Sequence, residues 1–139
     1  PSAWPQAFEA GTPNTPAVYG LAAALEWIDG RGESALLQAA RAPMARLVDQ
    51  LNELPEVKIF HGADTQDLPV LSLIHQRFDP AELGALLAGA EIHCRDGFHC
   101  APWVHDHLGT TAGGTLRISS GPLTTASDID RLVEILRTL

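Results

Sequence analysis

The chain has 139 residues, 45% of them apolar, and its nine basic residues against seventeen acidic ones give a formal charge of −8. That fills the core of one domain, leaves no basic stripe for nucleic acid or an anionic membrane surface, and includes no apolar run near the roughly 20 residues that span a bilayer. Two cysteines are no disulfide framework, so they read as reduced thiols, and without a signal-peptide pattern the expected location is cytoplasmic.

Pro1, Pro5, Pro13 and Pro16 with Gly11 make residues 1–16 a loop-like opening, expected to enter from a domain upstream. Residues 17–139 read as a single α/β domain. Ala17 to Ile28 carries apolar residues at near-helical spacing, with Thr15 and Pro16 as N-cap and first helical position and a stop at Asp29-Gly30. Beyond Gly32, the stripe Leu36, Leu37, Ala40, Met44, Leu47, Val48, Leu51 and Leu54 predicts a long helix, kinked at Pro43 and closed by Pro55. Val57 to Phe60 and Val70 to Ile74 suit two neighbouring strands around a polar turn at Asp64 to Asp67. Asp79-Pro80-Ala81-Glu82 then opens a helix running to about Ala88 with a capping box.

Glu91 to Arg95 reads as a strand, Gly97 as the start of a loop, and Pro102 to His107 as a short helix. Gly113-Gly114 reads as a flexible joint. Thr115 to Ser119 alternates, with Leu116 and Ile118 inward and Arg117 and Ser119 outward. Thr125 and Asp128 cap a last amphipathic helix carrying Ile129, Leu132, Val133, Leu136 and Leu139. Four short strands interleaved with five helices predict a two-layer α/β domain whose sheet is covered largely on one face.

The densest polar cluster is His93, Cys94, Arg95, Asp96, His99, Cys100, His105, Asp106 and His107. Imidazole and thiolate are zinc donors, but no CxxC knuckle is present, and strand neighbours such as His93 and Cys94 point to opposite faces, so no metal is expected. Cys100 reads either as a small buried hydrophobe or as a nucleophilic thiol on a loop before a helix start, with His99 and Arg95 adding positive character. Cys94 reads as structural. Arg117 is either a solvated surface charge or a fork for a carboxylate. Gly11-Thr12 is either turn chemistry or an amide and a hydroxyl offered to a phosphate. His105 and His107, two apart on a short helix, face different ways, so one packs while the other is solvated. Trp4, Trp27 and Trp103 read as core or interface anchors.

Four segments together resemble a known family: Phe8-Glu9-Ala10-Gly11-Thr12-Pro13-Asn14 ahead of Gly20-Leu21; Arg95-Asp96-Gly97-Phe98-His99-Cys100-Ala101-Pro102; Gly114-Thr115-Leu116-Arg117-Ile118-Ser119; and Thr124-Thr125 with Asp130. In order and spacing they look like the C-terminal part of class V aminotransferase-type enzymes, in the cysteine desulfurase and selenocysteine lyase branch. The resemblance implies the small C-terminal domain of a fold-type I pyridoxal phosphate enzyme, with a short, mostly antiparallel sheet. It also implies removal of sulfur from L-cysteine, or selenium from selenocysteine, with alanine released, a homodimer, and a sulfur-acceptor protein as a possible partner.

By the same resemblance Cys100 takes the sulfur as a persulfide, Arg117 holds the substrate carboxylate, Thr12 with Gly11 meets the cofactor phosphate, and Arg95 and His99 flank the thiol. Phe98 stands where many relatives have a second His, and Thr124 where they have Asn. His105 marks one branch of the family. Lys58, the only lysine, matches no cofactor-binding position, so this chain alone is expected neither to bind the cofactor covalently nor to turn over cysteine. Two other readings stand beside this one: a cofactor-free module carrying sulfur on its thiol, and a metal-binding module built on the His and Cys cluster.

Overall fold

In the computed structural model, residues 4, 8, 11–61 and 68–139 are described, so the polar turn expected at Asp64 to Asp67 lies outside them. The chain divides into two compact units, 1–35 and 36–139. Among the described residues no helix is long and apolar enough to cross a membrane.

The first unit contains α1 (Thr15–Arg31). Its N-cap is Asn14, one residue earlier than expected, because the Asn14 carboxamide accepts the Ala17 N–H at 3.2 Å and leaves Thr15 and Pro16 inside the first turn. The helix passes through Asp29 and Gly30 and stops at Gly32, which takes φ +81°. No residue of α1 is buried, and Val18, Tyr19, Leu21 and Leu25 are exposed. Trp27 carries the Arg31 guanidinium 4.2 Å from its ring centroid.

α2 (Glu33–Leu51) starts in the first unit and belongs to the second from Leu36 onward. It runs unbroken through Pro43, and Leu54 and Pro55 fall in the turn beyond it. Pro43 leaves the carbonyl four residues back without its helical donor. One position on, the Ala40 carbonyl accepts the buried Ser120 hydroxyl at 2.6 Å, which ties α2 to the end of the sheet.

The sheet holds β1 (Val57–Phe60), β2 (Val70–His75), β3 (Arg95–Gly97) and β4 (Thr115–Ser119) in the order β1-β2-β4-β3, antiparallel throughout. The helices α3 (Pro80–Gly89), α4 (Pro102–Leu108) and α5 (Ala126–Thr138) complete the chain. Period-two alternation sends Leu71, Leu73, Leu116 and Ile118 to one face. There they join Met44, Leu47 and Leu51 of α2, Leu83 and Leu87 of α3, and Ile129, Leu132, Val133 and Leu136 of α5 in one buried core. Both expected capping boxes form, Asp79 with Glu82 and Thr125 with Asp128. Asp130 of α5 takes a two-point bond from Arg46 at 2.8 and 2.9 Å and a third from Gln50, joining α5 to α2.

Three expectations are corrected. Residues 91–94 are not a strand: Glu91 takes φ +60°, its N–H bonds the Ala88 carbonyl and the Ile92 N–H the Leu87 carbonyl, so this stretch closes the end of α3 and pairing begins only at Arg95. Gly113-Gly114 is a fixed crossing rather than a joint. A Cβ on Gly114, which sits at φ +82°, would strike the Gly97 carbonyl, so these two backbones meet as closely as glycine permits. Of the two alternatives for the tryptophans, core or interface anchor, the core one fails for Trp4 and Trp103, which are 80% and 85% exposed, while Trp27 is half-buried.

Gly114→Ala is therefore expected to lower unfolding free energy by about 2 kcal/mol or more in a urea titration. Gly113→Ala, whose Cβ meets only Pro80 at ordinary contact distance, should cost less. Equal losses for the two would contradict the crossing.

Candidate functional site

The register of β3 on β4 builds the site. Arg95 lies opposite Arg117, Asp96 opposite Leu116 and Gly97 opposite Thr115. Opposed residues of an antiparallel pair share a face, so Arg95 and Arg117 stand side by side on the face away from the core, with Ser72 of β2 on the other flank of Arg117. Like charges directly opposite oppose each other. Among the described residues neither guanidinium has a carboxylate or hydrogen-bond partner, so the pair is an unanswered positive patch in an acidic chain.

β3 ends at Gly97 (φ +98°), and the loop that follows carries His99 and Cys100 at φ +51° and +60°. Two consecutive non-glycine residues in the left-handed region cost about 1–2 kcal/mol each, and three polar contacts hold them there. The Phe98 carbonyl accepts the Ala101 N–H at 2.9 Å and lies 3.1 Å from His105 Nε2, and His99 Nε2 lies 3.1 Å from the Thr115 carbonyl. A carbonyl only accepts, so both Nε2 atoms carry protons. His99 Nδ1 is then left as a buried lone pair without a partner. Burial above all, then the charges of Arg117, His105 and Arg95, holds His99 below the usual imidazole range against the opposing pull of the Thr115 carbonyl.

Cys100 is exposed on this loop. α4 begins two residues later but has only seven residues, and its N-cap Ala101 makes no side-chain hydrogen bond. The positive character near the loop therefore comes mainly from side chains. Cys94 packs against the core, and burial pushes its thiol up to about 11. His105 is buried and His107 exposed, the split their spacing implies. Among the described residues no three His, Cys, Asp or Glu side chains gather as a metal ion would need.

The structure thus places Cys100, His99, Arg95 and Arg117 on and beside one strand pair. Gly11 (φ +99°) and Thr12 belong to the first unit, with Thr12 exposed. Lys58 is exposed on edge strand β1, its Nζ 5.0 Å from the Phe60 ring centroid. The sequence reading did not single out Thr115 or Thr110 as supports, since one acts through its backbone and the other through a fold contact.

Residues 2–132 match the aminotransferase class-V family, and the chain belongs to it. It is 36% identical over 129 residues to the cysteine desulfurase CsdA of Escherichia coli, covering 93% of this chain and 31% of that protein. The crystal structure of CsdA in an S-sulfonic acid form matches with a TM-score of 0.77 at 33% identity, over 94% of this chain and 31% of the other. The apo structure of a cysteine desulfurase from Thermococcus onnurineus gives 0.82 at 28% identity, over 96% of this chain and 33% of that one. The chain spans about a third of the length of these relatives.

Two predictions follow from the thiols and the imidazoles. With a thiol held near 11, Cys94 is ionised to the order of one part in a thousand at pH 8. Iodoacetamide at that pH should therefore alkylate Cys100 at least about tenfold faster, read by peptide mass.

His75 is buried, and its burial, then Arg77, holds it below the usual imidazole range against Glu56. Like His99, it binds fewer protons folded than unfolded. Its stabilising contribution is full above the unfolded value near ~6.5, falls as pH drops through that value, and levels off below the folded one. Thermal midpoints should decline from about pH 7.5 to 5 at fixed ionic strength, and His99→Gln should flatten the decline. A midpoint that rises on acidification in this range would contradict the assignment.

Proposed function

We propose that this chain is the C-terminal part of a pyridoxal phosphate-dependent cysteine desulfurase-like enzyme, in which Cys100 accepts sulfur from L-cysteine as a persulfide and alanine is released. The observation that carries the reading is an exposed cysteine on a loop braced in a left-handed conformation, beside two arginines with no partner among the described residues. The similarity to desulfurases over more than nine-tenths of the chain supports it.

Each group has a role its surroundings suit. Arg117, on a central strand and only partly exposed, offers a planar fork to the amino-acid carboxylate, with Arg95 reinforcing the field. His99, kept largely neutral near pH 7, does not compete for that anion. The Cys100 thiolate attacks the substrate sulfur: an S–S bond forms, the substrate C–S bond breaks, and its electron pair stays on the departing carbon. Pyridoxal phosphate supplies the electron sink when bound.

Of the residues described, Thr12, exposed just before α1 and next to the left-handed Gly11, fits a phosphate oxygen. Lys58, on an edge strand against Phe60, does not lie in the Cys100 cluster. The cofactor lysine in this reading comes from sequence upstream of this segment, in a domain that completes the enzyme, and this segment alone is inactive. A homodimer and a protein that takes up the sulfur belong to the same reading.

The test is a mass spectrum of the protein extended upstream to its natural start, after incubation with pyridoxal phosphate and L-cysteine. A gain of about 32 Da on the Cys100 peptide with alanine released is expected, and its loss in Cys100→Ala. Arg117→Lys should raise KM for cysteine about tenfold or more with a smaller change in kcat. No adduct in the extended protein would overturn the reading. An adduct on this segment alone would favour a cofactor-free carrier, and faster turnover of selenocysteine than of cysteine would favour the lyase.

A further inference from the structure

We propose that His105 is a positioning residue for Cys100: its imidazole ties the carbonyl of Phe98 to the hydroxyl of Thr110 and so keeps the His99–Cys100 turn in its left-handed form. His105 is 3% exposed, and both ring nitrogens are engaged. Nε2 lies 3.1 Å from the Phe98 carbonyl and Nδ1 2.8 Å from the Thr110 hydroxyl. The carbonyl cannot donate, so Nε2 does, and in the uncharged form of the ring Nδ1 accepts from the Thr110 hydroxyl. One tautomer satisfies both contacts.

The geometry makes this more than packing. Phe98 immediately precedes the two left-handed residues, and its carbonyl takes both the Ala101 N–H at 2.9 Å, which closes the turn over His99 and Cys100, and His105. The Phe98 ring meets His105 edge-on at 5.2 Å and 86°, fixing the imidazole plane. At the far end, Gly109 turns left-handed at φ +70° and delivers the buried Thr110 to Nδ1. The loop is thus anchored, through one ring, to the end of the helix that follows it. His107, two residues further on, is exposed and provides no such link.

The inference concerns the site of the proposed function, and its test separates the two. In the extended, cofactor-loaded protein, His105→Gln places an amide donor near the Nε2 position, whereas His105→Asn places an acceptor near Nδ1 and none of its donors at Phe98; His105→Leu removes both. Amide hydrogen exchange of residues 98–101 should speed up about tenfold or more in the Leu and Asn variants and stay within about threefold in the Gln variant, while β2 amides keep their protection. Persulfide formation should lose about tenfold in kcat at unchanged KM in Leu and Asn, and recover in Gln.

Exchange unchanged in all three variants, rescue by Asn as good as by Gln, or loss of β2 protection matching that of the loop would each overturn the proposal. If the wild type forms no persulfide while loop exchange still separates Gln from Asn and Leu, the positioning role stands and the desulfurase reading falls.

Discussion

The three-residue pairing of β3 with β4 is the constraint on which both halves of the second unit depend. By setting Asp96 opposite Leu116 and Gly97 opposite Thr115, in step with the β2 pairing on the other side, it holds β4 so that Leu116 and Ile118 enter the core while Arg117 leaves it. A slip of one residue would send every side chain of β4 to the other face. The contact between Gly97 and Gly114, with no room for a Cβ, stands at the end of this pairing. It ends the strand where the Cys100 loop begins.

The same register creates an electrostatic oddity. Two arginines face each other across a ladder in a protein of net charge −8, yet neither is neutralised among the described residues. Acidic partners are used elsewhere: Asp130 by Arg46 and Gln50, Glu53 by Arg137. Arg95 is exposed and Arg117 partly so, and water and counter-ions there screen much of the repulsion. His99 beside them responds in the expected direction, since positive neighbours and burial both disfavour its proton.

Most of the fold was legible because its signals are local. The capping boxes of α3 and α5 need only residues three apart, and the alternation of β4 is carried by five consecutive side chains. Where the reading failed, backbone geometry overrode side-chain type. Glu91 adopts a helix-ending conformation usual for glycine, which moved β3 four residues along. Two adjacent glycines looked like slack and turned out to be a tight crossing. At the site, Cys100 and Arg117 came from a family-like order of motifs. The pairing of Arg95 with Arg117 needed the register, and the His105 contact needed a carbonyl, a group every residue carries and no sequence pattern marks.

Among the described residues strand β1 has a neighbour on one side only, so its outer row of amides and carbonyls is a template on which another chain could pair. It is four residues long, and its one exposed member is Lys58, the sole lysine of the chain. A short strand with an ammonium at its rim resists edge-to-edge stacking, because a second copy would bring like charges together with their hydration shells stripped. Among nine cationic side chains, the single lysine thus sits where a strongly hydrated point charge serves better than a flat guanidinium, which stacks readily. Acetylation there would remove a guard against aggregation while leaving the core and the Cys100 loop untouched.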